Sequence, residues 1–143
     1  EQGMTLHLVG KPTQTQIAID RMQFRRVLEN LLSNSLKYKT ADTIDFTVTV
    51  TEEAHSVTIH CADTGQGVPE ESLAKLFDSF YRTDAARTNV AGGSGLGLAI
   101  AKQIILSMNG TITASHTPGG GLTISITLPI VKENASHETC THY

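Results

Sequence analysis

Long hydrophobic runs are missing from this sequence, and so are an excess of basic charge and a set of paired cysteines. No apolar stretch reaches the roughly 18 residues that a membrane-spanning helix needs, and the opening EQGMTLHL lacks the charged and apolar regions of a signal peptide. The 11 basic side chains are outnumbered by 14 acidic ones, for a formal charge of −3, so the basic footprint of a DNA- or RNA-binding surface is absent and no nucleic-acid partner is expected. Of the two cysteines, Cys61 lies in an apolar strand-like run and Cys140 in a polar tail. That pattern excludes a disulfide framework and fits a reducing cytoplasm. The chain opens on Glu1 rather than methionine, as expected of a piece of a longer parent whose membrane segments lie elsewhere.

What is present suits one domain with a single core: 143 residues, 39% of them apolar and 17% charged. MTLHLV and QIAI, separated by the turn-prone GKPT, predict two short strands. A helix over about residues 21–38 follows, with Asp20 as its cap and Phe24, Val27, Leu28 and Leu31 at helical spacing. The β-branched residues of 44–63 predict a hairpin, Glu70 to Asp78 a short helix, and residues 79–93 a polar loop without periodicity. Residues 95–108 are apolar nearly all round, as in a buried helix, and Asn109-Gly110 supplies its stop. TITASHT and LTISITLPI, joined by PGGG, form a closing hairpin. Two hairpins make most strand neighbours antiparallel, so the fold class is α+β, a two-layer α/β sandwich: a mixed, mostly antiparallel sheet of about five strands with three main helices on one face. Residues 1–130 form that domain, and 131–143 are a polar tail expected to be disordered.

Four features carry chemistry. On the first helix, at about 100° per residue, Asn30, Asn34, Lys37 and Tyr38 fall on one side and Phe24, Leu28 and Leu31 on the other. Asparagine is a poor helix former, yet an amide oxygen can bind Mg²⁺ and a lysine can pair with phosphate. Asp63-Thr64-Gly65-Gln66-Gly67 closes an apolar strand, where a rigidly placed carboxylate can accept a hydrogen bond from the exocyclic amine of adenine and glycines let a ligand approach the backbone. Gly95, Leu96 and Gly97 open a helix, whose unpaired N–H groups and macrodipole attract anions. This run matches neither the dinucleotide nor the Walker spacing, because Leu98 stands where the latter needs lysine. Arg82 and Arg87, on the loop before it, can swing over a phosphate tail, with Phe77, Phe80 and Tyr81 as its packed anchor. Each feature alone has an ordinary explanation as a solvated helix face, a turn or surface charge. Their order and combination do not.

FRRVLENLLSNSLKYK, DTGQG, LFDSFYR and GGSGLGLAIAKQI together resemble the N, G1, F and G2 boxes of the catalytic and ATP-binding domain of sensor histidine kinases, over about residues 4–130. The resemblance implies a Bergerat fold with Mg-ATP held between the first helix and a flexible lid. It implies a catalytic role for Asn34, Lys37, Arg82 and Arg87, with Asn34 as the Mg²⁺ ligand and Asn30 its partner one turn earlier. Lys37 and Tyr38 would lie near the phosphates and the adenine, Asp63 would read the adenine amine, and Gly65 and Gly67 would shape that pocket. Gly93, Ser94, Gly95, Leu96, Gly97 and Leu98 would form the phosphate cradle. The implied parent is a bacterial inner-membrane sensor of a two-component phosphorelay. Gyrase-like and chaperone ATPases and the anti-sigma serine kinases are similar, but carry glutamate at the position of Asn30. Glu29 is next door, about 100° around the helix, and so is expected to point elsewhere.

The helical hairpin that carries the phosphoacceptor histidine in that family has no counterpart here. Ser136-His137-Glu138 resembles the start of the acceptor box, but the Arg-Thr-Pro and the amphipathic helix that should follow are absent. His137, Cys140 and His142 lack a fourth metal ligand. The expected partners are therefore the dimerisation and phosphoacceptor domain of the parent and a downstream response regulator, and the fragment alone is expected to be monomeric. Two other readings stay open at this level: a stand-alone serine/threonine kinase of the anti-sigma type, and a non-catalytic module that uses nucleotide to order its lid.

Overall fold

Apolar residues alternate with polar or small ones along much of residues 44–63 and 111–129, and alternation at period two presents one apolar face per strand. The computed structural model, which describes residues 3–10, 15–37, 40–78 and 97–131, realises these as strands β2 (Ile44–Glu52), β3 (Ser56–Asp63), β4 (Thr111–His116) and β5 (Leu122–Pro129). With β1 (Met4–Val9) they form one five-stranded sheet in the order β1-β2-β3-β5-β4. β1 runs parallel to β2, and the other three pairings are antiparallel.

Helix α1 (Arg21–Lys37) is the crossover between β1 and β2, a connection that a parallel pair requires. Asp20 starts it, its Oδ1 accepting from the Met22 and Gln23 backbone N–H groups at 3.0 and 3.2 Å, which satisfies two of the orphan donors of the first turn. Val27, Leu31 and Ser35 recur every four residues as its buried stripe. Helix α2 (Gly97–Ser107) packs against α1 and β4, burying Ala99, Ala101, Ile104 and Ile105 while Gln103 and Leu106 stay exposed. A short 3₁₀ helix, Glu70–Lys75, stands where the sequence predicts the third helix.

The helix-facing side of the sheet supplies Phe46, Val57, Ile59, Cys61, Ile112, Leu122, Ile124, Ile126 and Leu128, which merge with Val27, Leu31 and Ile105 into one core. Ile126 is fully buried, and truncating such a side chain to alanine costs about 2–5 kcal/mol.

One expectation needs correcting. QIAI is not a strand: Ile17 makes an isolated bridge to Ile130. Both edges of β5 are already taken by β3 and β4, so Ile17 meets that chain only after β5 has ended at Pro129. The Asn109-Gly110 stop of α2 is realised as expected, with asparagine in the left-handed position. Asn109 takes the left-handed conformation (φ 62°), and the N–H groups of Asn109 and Gly110 bond to Leu106 and Ile105 oxygens, each at 3.0 Å, the pattern of a Schellman cap. Gly110 is required for space instead, because a Cβ there would lie 2.6 Å from the Thr127 carbonyl oxygen.

Candidate functional site

The parity of β3 decides where its last residue points. Val57, Ile59 and Cys61 face the helices, so Asp63, two residues on, faces them as well. Asp63 is 5% exposed, and a carboxylate buried that deeply must be hydrogen-bonded. Its Oδ1 accepts from the backbone N–H of Gly65 and of Leu122, each at 3.0 Å, and its Oδ2 from the Ser35 hydroxyl at 2.7 Å.

The loop behind it is fastened on two sides. Thr64 N–H donates to the Asp45 carbonyl at 3.1 Å, and Asp45 N–H donates to Thr64 Oγ1 at 3.0 Å. On the other side His116 Nε2 donates to the Val68 carbonyl at 3.1 Å, and the turn between β4 and β5 presses on the loop. A Cβ on Gly121 (φ +111°) would lie 1.9 Å from the Asp63 carbonyl oxygen, and one on Gly67 would lie 3.3 Å from the Gly121 oxygen. At that crossing the turn has no room for a side chain, and the loop could take one only if its neighbour shifted.

Asn30, Asn34 and Lys37 on α1 are all half-buried. Asn30 Nδ2 donates to the Gly97 carbonyl at 3.2 Å, which brings the asparagine side of α1 to the first turn of α2. Asn34 lies one turn after Asn30 and immediately before Ser35. One helix thus touches both the end of β3 and the opening of α2, and Asn34 stands between the two contacts. Glu29 points away, its carboxylate held by Arg25 Nε at 3.2 Å on the exposed face. Gly65 and Gly67 lie directly beyond Asp63 and are half-buried, Gly97 opens α2 on the exposed surface, and Leu98 packs against the core. Phe77 also packs against the core, with the Lys102 ammonium 6.0 Å from its ring centroid. Tyr38, Phe80, Tyr81, Arg82, Arg87, Gly93, Ser94, Gly95 and Leu96, with the rest of residues 79–96 and residues 132–143, lie outside the described residues.

Sequence reasoning missed Ser35, Gly121 and Leu122. A signal for Ser35 existed: it continues the Val27–Leu31 stripe, so a hydroxyl occupies a core position and needs a polar partner. Nothing local marks Leu122, because its contribution is a backbone N–H.

The model of the family described as histidine kinase-, DNA gyrase B-, and HSP90-like ATPase matches residues 19–132. The chain belongs to this family. Sensor histidine kinase WalK of Bacillus subtilis (strain 168) is 42% identical over 118 residues, covering 82% of this chain and 19% of WalK. Signal transduction histidine-protein kinase BaeS of Escherichia coli (strain K12) is 38% identical over 122 residues, covering 85% of this chain and 26% of BaeS. Among solved structures, a mycobacterial sensor histidine kinase, MprB, is similar with a TM-score of 0.78 at 26% identity, covering 92% of this chain and 86% of that one. Full-length ShkA in complex with AMPPNP gives a TM-score of 0.75 at 25% identity, covering 94% and 27%. The chain therefore spans about a fifth to a quarter of the curated relatives cited, and it corresponds to the ATP-binding catalytic domain of sensor histidine kinases. The open five-stranded sheet with helices on one face is the fold expected from the resemblance. Among the described residues no helix is long and apolar enough to cross a membrane.

Proposed function

We propose that this domain, residues 1–130 of the chain, holds Mg-ATP between α1 and the lid and presents its γ-phosphoryl to a histidine on the phosphoacceptor domain of its parent, which then passes it to a response regulator. The observation that carries this reading is the double contact of α1: Ser35 to the Asp63 carboxylate and Asn30 to the opening of α2. It supports a reading in which the Asp63 carboxylate, the Asn34 amide and the first N–H groups of α2 share one wall of the nucleotide site.

Asp63 accepts the adenine amine through its remaining acceptor position, and Gly65 and Gly67 admit the ring. Tyr38 lies near the base, and Lys37 beside the phosphates. Gly93 to Leu98 lend backbone N–H groups to the phosphates, and Arg82 and Arg87 neutralise them from the lid. Asn34 supplies one hard oxygen ligand, which suits Mg²⁺ because that ion keeps waters and substrate phosphates in most of its coordination positions. Bound there, Mg²⁺ supplies charge neutralisation on the phosphates.

Catalysis in this reading is positioning and charge stabilisation. Glutamate at the position of Asn30 would activate water, whereas here that position holds an amide engaged with the Gly97 carbonyl. A domain without that base keeps ATP until the imidazole nitrogen of an acceptor arrives. The working location is the cytoplasmic side of a bacterial membrane. The test is incubation of labelled ATP with this chain and the phosphoacceptor domain of its parent. Acid-labile phosphate on that domain is the expected result. Acid-stable phosphate would instead assign a serine kinase, and no transfer would assign a nucleotide-sensing module.

A further inference from the structure

A carboxylate offers about four acceptor positions, and the fold fills three of those on Asp63. Two backbone N–H groups, from Gly65 and Leu122, take Oδ1, and the Ser35 hydroxyl takes Oδ2. All three partners are donors and come from three different parts of the fold: a helix, the loop after β3 and the start of β5. The plane of the carboxylate is fixed from three directions, and one acceptor position on Oδ2 is left, beside the Ser35 oxygen.

Ser35 is 4% exposed and set by the same helical stripe that buries Val27 and Leu31, so its hydroxyl has little freedom to turn elsewhere. Its single hydrogen is already given to Asp63. A purine presents at its 6-position either an amine, which donates, or a carbonyl, which only accepts. Against the Asp63–Ser35 pair the amine finds an acceptor and the carbonyl finds no hydrogen. We propose that Ser35 is a positioning residue which, acting through Asp63, makes the pocket discriminate between 6-amino and 6-oxo purine nucleotides. The inference rests on the reading that Asp63 faces the base.

The physical reason is what replaces the hydroxyl when it is lost. Alanine at 35 opens a second acceptor position on Oδ2 and leaves room for a water. Water both donates and accepts, so it can bond to the carboxylate and still offer a hydrogen to a 6-carbonyl. The 6-oxo nucleotide gains a bridge, while the amine loses an acceptor held in a fixed direction.

The test is calorimetric titration of the full 143-residue chain with ATP and with inosine triphosphate, both with Mg²⁺, for the unchanged protein, Ser35→Ala, Ser35→Thr and Asp63→Asn. The expected result is a clear preference for ATP in the unchanged protein that falls about tenfold in Ser35→Ala, the lower end of what one hydrogen bond to a charged group contributes. Ser35→Thr, which keeps a hydroxyl, retains the preference. A ratio of affinities is read on one folded protein, so general destabilisation does not move it. An unchanged ratio in Ser35→Ala, with the preference abolished in Asp63→Asn, overturns the role of Ser35 alone. Equal binding of both nucleotides by the unchanged protein, unaltered in Asp63→Asn, overturns the base contact and this inference with it.

Discussion

The Asn30 side chain gives its Nδ2 hydrogen to the Gly97 carbonyl across 3.2 Å, joining α1 to the first turn of α2 over a sequence separation of 67 residues. An aspartate at 30 would set an oxygen against that carbonyl oxygen. Asn30→Asp is expected to lower unfolding stability by about 1–2 kcal/mol and to weaken ATP binding, because the N–H groups proposed to meet the phosphates lose their brace. Urea unfolding and calorimetry check the two effects. An unchanged urea midpoint together with unchanged ATP affinity would show the contact to be dispensable.

Asn34 stands between the two contacts of α1 and is proposed to give its amide oxygen to Mg²⁺. Asn34→Ala is safe for the helix, since alanine is the better helix former. Titrating ATP with Mg²⁺ and then with EDTA isolates its role. The unchanged protein is expected to lose affinity on chelation, and Asn34→Ala to bind about tenfold more weakly with Mg²⁺ present while responding little to EDTA. Equal chelation responses in the two proteins would remove Asn34 from the metal site.

Gly121 and Gly119 separate space from strain. Both have positive φ, +111° and +90°, but a Cβ on Gly121 would meet the Asp63 carbonyl oxygen at 1.9 Å, whereas one on Gly119 meets nothing within 4 Å. Gly119→Ala is expected to cost about 1 kcal/mol, the backbone penalty alone. Gly121→Ala must also push β5 from the Asp63 loop and is expected to cost at least about 3 kcal/mol and to weaken ATP binding. Thermal melts of the two variants side by side decide this, and equal melting temperatures would contradict it.

Cys61 is a free thiol in the core, and burial pushes its pKa from 9.0 up to about 11. The folded state therefore holds the thiol proton where the unfolded chain has released it. Its stabilising effect is complete below about pH 9 and is lost as the pH rises toward 11, to a total of about 2–3 kcal/mol. Denaturant unfolding at intervals across that range should show the decline, and Cys61→Ala should remove this component of it. A decline of equal size in Cys61→Ala would assign it to other groups.

Much of the frame was legible because the relevant forces are local. The cap at Asp20, the Val27–Leu31 spacing of α1, the alternation of β2, β3 and β5, and the Asn109-Gly110 stop each depend on neighbours within one or two turns or along one strand. QIAI failed as a strand for a reason outside its own residues: the sheet had no free edge for it beside β5. Asp63 was recognisable as the end of an apolar strand, and the strand's parity already aimed it at the helices.

The three donors that fix Asp63 show the boundary. The sequence determined by itself that the chain would form a sheet with an amphipathic helix, that two asparagines would share one side of that helix, and that a carboxylate and glycines would sit at element ends, since periodicity and end chemistry are short-range. Only the tertiary structure decided that Ser35 and Leu122 would meet Asp63, 28 and 59 residues away. Hydrogen-bond partners at that range are chosen by packing of the core and by the need of a buried carboxylate to be satisfied.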